Sequence, residues 1–413
     1  MISFWLSLAI FALMAALDAV WWVTARRLIK RRRWRVPLDL FMAVQTGYLL
    51  AIIGHFDWVD KSPQPVLVAV ALWHHLGLFL AGAILLPLGL VRLHAGWVRV
   101  RVRMTSIGRD KPGAGADVGP PAADGRGAES ALSRREFLGT ATALAPAVVT
   151  LGLTGVAAGQ LNHFRIRRLT LALPTLPRAL DGMTIAQVSD IHVGVFTKGA
   201  VLREMVSATN ALGADLVLMT GDLINYELSD LNEGLALLRA MPGRYGQWMI
   251  EGNHDLFDDA TEFERRVKAS GVPCLLNQSA ITMVRGHPVQ FFGLRWMEGT
   301  PRECDRSHAF WVRELLKQRH PEAFPILLAH HPHAFDAAVA ADLPLTLSGH
   351  THGGYLMLTD QIGVGPMLFR YWSGLYQRGR SQMIVSNGVG NPFPLRINAP
   401  AEIVHLTLRC AAG

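Results

Sequence analysis

The chain has 413 residues, longer than one ordinary domain; half are hydrophobic and only 17% are charged, a balance that places part of it in lipid. A formal net charge of +8 does not point to nucleic acid, because the basic residues crowd into 26–35, 92–103 and 165–168, each beside an apolar run. Cys274, Cys304 and Cys410 are too few and too widely spaced for a disulfide framework or a Cys-x-x-Cys zinc site.

Three apolar stretches, 2–25, 36–58 and 66–91, come first. Each approaches the roughly 20 residues that cross about 30 Å of hydrocarbon as a helix. Without a basic segment ahead of the first, they do not read as a cleaved signal. Together they predict a three-helix transmembrane region over residues 1–103. Arg26, Arg27, Lys30, Arg31, Arg32, Arg33 and Arg35 put the first loop inside the cell, and the loop at 57–61, lacking that excess, outside. Asp18 in the first stretch and His74 and His75 in the third are costly in lipid. The histidines are expected to bond between helices, and Asp18 to face other helices or the interface.

Residues 104–133 are rich in Gly, Ala, Pro and Asp and cannot bury enough surface to offset ordering, so they predict a flexible linker. Ser133-Arg134-Arg135-Glu136-Phe137-Leu138 then introduces a weakly hydrophobic run to about Gly159, which resembles a bacterial twin-arginine export signal. With no clear small-residue cleavage site behind it, 134–160 is expected to stay as an anchor helix. The resemblance makes the export machinery a partner; the charge rule alone places everything after residue 160 outside.

Residues 161–413 change character, to short apolar runs alternating with amphipathic stretches, the pattern of a soluble α/β domain. A helix around Phe310–Leu316 is expected, with Ser307 as its cap. Five strand-like runs end in metal-ligand residue types: 184–189 before Asp190 and His192; 216–220 before Asp222; 248–251 before Asn253, His254 and Asp255; 325–329 before His330; and 345–348 before His350 and His352. Buried strands of an α/β sheet collect ligands in the crevice beyond their carboxyl ends, so five such segments predict one shared site. The pairs Asp190/His192 and His350/His352 are two apart and would share a side in extended backbone. Glycines 221, 252, 349, 353 and 354 suit places where a side chain would crowd a metal.

In this order, Asp-x-His, Gly-Asp, Gly-Asn-His-Asp, a lone His after an apolar strand, and Gly-His-Thr-His-Gly-Gly resemble the calcineurin-like metallophosphoesterases, over about residues 180–408. The tail, with Ser373-Gly374-Leu375-Tyr376, Ser386-Asn387-Gly388 and Pro400-Ala401-Glu402-Ile403, resembles their bacterial, membrane-anchored branch. The resemblance implies a two-sheet α/β sandwich flanked by helices and a metal-dependent hydrolase of phosphoric esters. It implies Asp190, His192 and His352 on one divalent ion, Asn253, His330 and His350 on a second, and Asp222 bridging both. It also implies His254 as general acid, oriented by Asp255. A shared carboxylate would offset repulsion between two ions about 3.5–4 Å apart. His330 is preferred to His331 and His333 because it ends the apolar run. Asn225, where many members carry Asp, and Tyr355, where Gln is frequent, depart from the family pattern. Oxygen and nitrogen donors without thiolate suit Mn, Fe, Zn or Co. His163, His287, His308, His320 and His405 read as surface or packing residues.

The expected function is two-metal hydrolysis of a phosphodiester or pyrophosphate, on a phosphorylated envelope or lipid substrate. The expected place is a bacterial inner membrane spanned several times, with the catalytic domain on the outer face. One alternative is a UDP-diacylglucosamine-type pyrophosphatase on the cytoplasmic face. Another, from a different class, is a membrane receptor or transporter component whose metal domain is not catalytic.

Overall fold

The computed structural model describes residues 4–53, 67, 70–71, 73–78, 133–359 and 361–411. The chain divides into two units, 1–61 with 70–153, and 62–69 with 154–413.

In the first unit, α1 (Phe4–Leu28) and α2 (Arg32–Ile53) follow the first two apolar stretches. Ala25, Ile29, Leu38, Met42 and Ala143 form a small apolar cluster there. Asp18 is buried and takes two partners: His74 Nε2 lies 2.9 Å from one carboxylate oxygen and His75 Nε2 3.2 Å from the other. His75 Nδ1 donates to the Ala71 carbonyl at 2.8 Å. The polar groups predicted to be costly in lipid thus bond to one another. The end of the second stretch, most of the third and nearly all of the 104–133 linker lie outside the described residues.

The third helix, α3 (Arg134–Gln160), opens with a capping box. Ser133 Oγ accepts from the Glu136 amide at 3.2 Å, and the Glu136 carboxylate accepts from the Ser133 amide at 3.3 Å. The serine and glutamate of the export-like motif therefore also start this helix. Among the described residues, α3 is the one helix long and apolar enough to cross a membrane.

The second unit is built on two sheets. One runs in the order β1 (Phe164–Leu173), β13 (Ala401–Cys410), β2 (Thr184–Val188), β3 (Leu216–Thr220), β4 (Gln247–Ile250). The other runs β11 (Gly374–Arg378), β12 (Ser381–Val385), β8 (Leu345–Ser348), β7 (Phe324–Leu328), β6 (His287–Gly293), β5 (Gln278–Val284). A small hairpin, β9 (Met357–Thr359) and β10 (Ile362–Gly363), stands apart.

Alternation along each strand sorts the layers. Leu216 and Leu218 turn inward to meet Leu171, Ile185, Phe291, Ile326 and Leu347 between the sheets. Val217 and Met219 turn outward against α4 (Ala200–Ala211), α5 (Leu231–Arg239) and α6 (Ala260–Ser270). On the far face, Phe292, Leu327 and Val385 pack on α7 (Pro301–Leu316) and α8 (Ala334–Ala340). This is the helix-flanked two-sheet sandwich that the resemblance implied. One local expectation is corrected: α7 starts six residues before Ser307, because Thr300 and Glu303 form its capping box and Pro301 opens its first turn.

Candidate metal centre

Strands β2, β3 and β4 run parallel in one sheet, and β7 and β8 run parallel in the other. Their carboxyl ends deliver Asp190, Asp222, Asn253, His330 and His350 to one crevice. The backbone there is not extended, as the two-residue spacings had suggested. Asp190, His192, Asp222, His350 and His352 all adopt positive φ, between 48° and 74°. Non-glycine residues enter that region at a cost, and the surrounding structure must hold them there. Part of the hold is close approach by glycine. A side chain at Gly252 would collide with the Asp222 carboxylate, and one at Gly349 with Ser189 and the Asp190 carboxylate.

Two groups of donor atoms result. Asp190, His192, Asp222 and His352 form one, and Asp222, His330 and His350 the other. His192 Nε2 and His352 Nε2 face each other at 3.1 Å, and Asp190 Oδ1 lies 3.4 Å from the latter. The Asp222 Oδ2 oxygen sits between the groups, 3.5 Å from His192 Nε2 and 3.1 Å from His330 Nε2. Asn253 Oδ1 lies 2.9 Å from His350 Nδ1 and brings a neutral oxygen to the second group. All but Asn253 and His350 are buried. Imidazole nitrogens converging on one another and on carboxylates, away from solvent, fit two divalent cations sharing Asp222.

The electrostatics agree. Burial, reinforced by the Asp222 charge, pushes Asp190 up to about 6 against the pull of His330. Burial also opposes charge on Asp222, yet His330, His192 and His254 hold its carboxyl far below the usual range. His330 is pushed up to about 9 because the Asp222 carboxylate outweighs the desolvation of its ring. A metal must displace that proton. Titrating Mn or Zn into metal-free chain near neutral pH is therefore expected to release protons, with apparent affinity rising about tenfold per pH unit until about pH 9. Proton release measured in weak buffer checks this.

His330 is fixed through Nδ1–H to the Thr220 carbonyl at 2.7 Å, which turns Nε2 to the site. His331 belongs to neither donor group, its ring lying against Trp296, His333 and His350. Asp255 does not orient His254, as had been expected. Its buried carboxylate accepts from the amides of Asp222, Leu223, Ile224 and Gly252 at 2.8–3.1 Å, holding two ligand loops together. His254 instead donates Nδ1–H to the Asn225 carbonyl at 2.7 Å. A backbone oxygen does this work, so the unusual side chain at 225 leaves the orientation of His254 intact.

Motif reading missed Arg396. It is 2% exposed. Its guanidinium donates to the carbonyls of His352, Asn387, Gly388, Gly390 and Ala399, at 2.7–3.3 Å, and lies 2.9 Å from His352 Nδ1. Only the fold gathers these carbonyls, so no local signal marks the residue. Each would cost about 1–3 kcal/mol if left buried without a donor. Arg396→Met is expected to lower the thermal midpoint of the full chain in detergent by several degrees, without rescue by added metal. The tail motifs serve the same loop. The Glu402 carboxylate, buried, binds Arg165 at 2.8 Å and the Asn387 amide at 3.3 Å.

Aromatic rings wall the crevice. Phe257 and Tyr226 lie 4.7 and 5.2 Å from the His254 ring and stack on each other. Trp296 stands 4.9 Å from His350, Phe369 6.2 Å from it, and Tyr355 4.8 Å from His352.

An α/β sandwich with two donor groups sharing one carboxylate at its strand ends defines a two-cation hydrolase. The calcineurin-like phosphoesterase model matches residues 183–354, and the uncharacterised metallophosphoesterase YkuE of Bacillus subtilis (strain 168) is 31% identical over 291 residues, covering 67% of this chain and 98% of that protein. The chain belongs to the calcineurin-like metallophosphoesterases, which are metal-dependent phosphoester hydrolases. A transmembrane protein with metallophosphoesterase domain from Danio rerio is 29% identical over 295 residues, 69% of this chain and 66% of that one. Its Bos taurus namesake is 28% identical over 284 residues, 65% of this chain and 63% of that one. The chain thus spans just under two thirds of the length of these vertebrate relatives.

Proposed function

We propose that this chain hydrolyses a phosphodiester or pyrophosphate at a membrane, with Asp190, His192 and His352 holding one divalent ion, Asn253, His330 and His350 the other, and Asp222 both. The observation that carries it is the Asp222 oxygen lying within 3.5 Å of histidines from both groups. When bound, such ions lend positive charge to phosphoryl oxygens and lower the pKa of water. The chain's own groups do the rest. His254, fixed by the Asn225 carbonyl, keeps Nε2 free to hand a proton to the leaving oxygen. Tyr226 and Phe257 pack beside that ring. An oriented acid of this kind favours an enzyme over a receptor that merely binds phosphate.

We place the catalytic unit outside the cytoplasmic membrane, after several spans, with α3 as its anchor and the paired arginines inside. The arginine-rich first loop and the apolarity of α3 support this arrangement. Purified full chain, assayed for bound metal and for mono- and diester hydrolysis side by side, tests the chemistry: two metals with diester preference support it, and a folded, metal-free, inactive protein sinks it. A reporter fused after residue 413 tests topology. Activity only from a cytoplasmic reporter would move the site inside and favour the nucleotide-sugar pyrophosphatase alternative.

A further inference from the structure

We propose that the exposed apolar side chains of Leu358, Ile362, Met367, Leu368 and Leu375 seat the catalytic unit on a lipid bilayer, so that the site takes phosphate esters carried by a lipid of that bilayer. This rests on the phosphoesterase reading and names its substrate class.

Apolar exposure in the catalytic unit is concentrated in one place. Among the described residues from 164 onward, the four most exposed large hydrophobic side chains are Met367 at 82%, Leu358 at 78%, Leu368 at 68% and Ile362 at 58%. Leu375 adds to the patch at 45%. Clustered exposure of this kind marks an interaction surface, whereas scattered single residues do not.

The patch is not a loose loop. It is carried by the β9–β10 hairpin and the short helix α9 (Val364–Leu368). Their frame is hydrogen-bonded: the Val364 amide donates to the Leu356 carbonyl at 2.9 Å, the Met357 amide to the Ile397 carbonyl at 3.0 Å, and Asn398 Nδ2 to the Met357 carbonyl at 2.9 Å. A scaffold fixed in this way presents its apolar side chains outward and cannot fold them back.

Two observations make the occupant a bilayer. First, the patch lies on the side of the unit where the tether arrives. The last two turns of α3 belong to this unit, Asn391 holds the Leu161 carbonyl at 3.0 Å, and β1 begins at Phe164. Arg165 and Arg167 of β1 line a cavity of about 720 Å³ together with Met357, Gln361 and Leu375. The chain that follows α3 therefore enters this unit beside the patch. Second, Arg370 and Arg378 flank it, half exposed while paired to Asp336, as suits an anionic lipid surface.

The patch is also continuous with the site. Phe369, next to Leu368, has its ring 6.2 Å from that of His350, and Tyr355, just before the hairpin, has its ring 4.8 Å from that of His352. A lipid phosphate entering past these rings keeps its acyl chains against apolar side chains all the way.

The test uses full chain reconstituted in vesicles of phosphatidylcholine and phosphatidylglycerol. A photoreactive benzoylphenylalanine replaces Met367 in one sample and, as a control, Ile281, itself 47% exposed, in another. Lipid adducts at least about tenfold more abundant at 367 are expected. Equal yields, or adducts chiefly to a second copy of the chain, overturn the seat. A parallel arm compares hexadecyl p-nitrophenyl phosphate in vesicles with ethyl p-nitrophenyl phosphate in solution. The double variant Met367→Ser, Leu368→Ser is expected to keep the soluble rate within about twofold and lose about tenfold or more on the vesicle-borne ester. Equal effects on both substrates overturn the lipid assignment. If neither ester is cleaved by the unaltered chain, the phosphodiester reading fails, while the crosslinking arm still judges the seat.

Discussion

Asp222→Asn is expected to abolish hydrolysis and strip the chain of both metals. The Asp222 Oδ2 oxygen serves both groups of histidines, while Oδ1 accepts the His254 amide at 2.8 Å. Asparagine keeps an oxygen for that amide, so the loop need not collapse. What it removes is the one negative charge common to both cation positions, in a buried site where each charge weighs heavily. Loss of about 10³-fold or more in rate is expected, the upper range for removing one preorganised electrostatic group. Metal content by elemental mass spectrometry, beside circular dichroism to show an unchanged fold, checks it. A variant that retains two metals and near-normal activity would remove Asp222 from its central place.

His254→Gln should separate proton delivery from metal binding. His254 belongs to neither group of ligands, and its ring is anchored on the Asn225 carbonyl. Burial lowers its pKa, although Asp222 pulls the other way. Removing such an acid typically costs about 10²–10⁴-fold. The loss should be greatest for esters with alkoxide leaving groups and small for p-nitrophenyl esters, whose leaving oxygen needs little help. Rates measured across leaving groups decide this. A uniform loss would make His254 a structural or binding residue instead.

The ligands were legible in the sequence because each follows a short run of strand-forming residues, and hydrophobic alternation is a local signal. His330 could be preferred to its neighbours for that reason, whereas the bridging place of Asp222 came from the family resemblance. The conformation at these residues was not legible. Spacing suggested extended backbone at Asp190 and His192, whereas both sit in the left-handed region, a choice imposed by neighbours such as the glycine-lined turns. Asp255 was misassigned because adjacency in sequence to His254 says nothing about where a carboxylate finds donors; it found four backbone amides. Arg396 was invisible since its acceptors come from 352, from 387–390 and from 399. The cap of α7 was misplaced because a serine inside a helix looks like one at its start. In the first unit, Asp18 could be flagged as costly, but its histidine partners lie more than fifty positions away.

The order of strands carries a consequence for how this catalyst is made. β13, the last of the described strands, lies between β1 and β2, the first two strands of its sheet, parallel to one and antiparallel to the other. A nascent polypeptide halted anywhere before Ala401 leaves a gap through the middle of that sheet, and lacks Glu402 to tether Asn387. Competence to capture cations thus arrives only once residues 401–410 have joined the sheet, and any compartment that loads the ions must meet a domain that already holds β13.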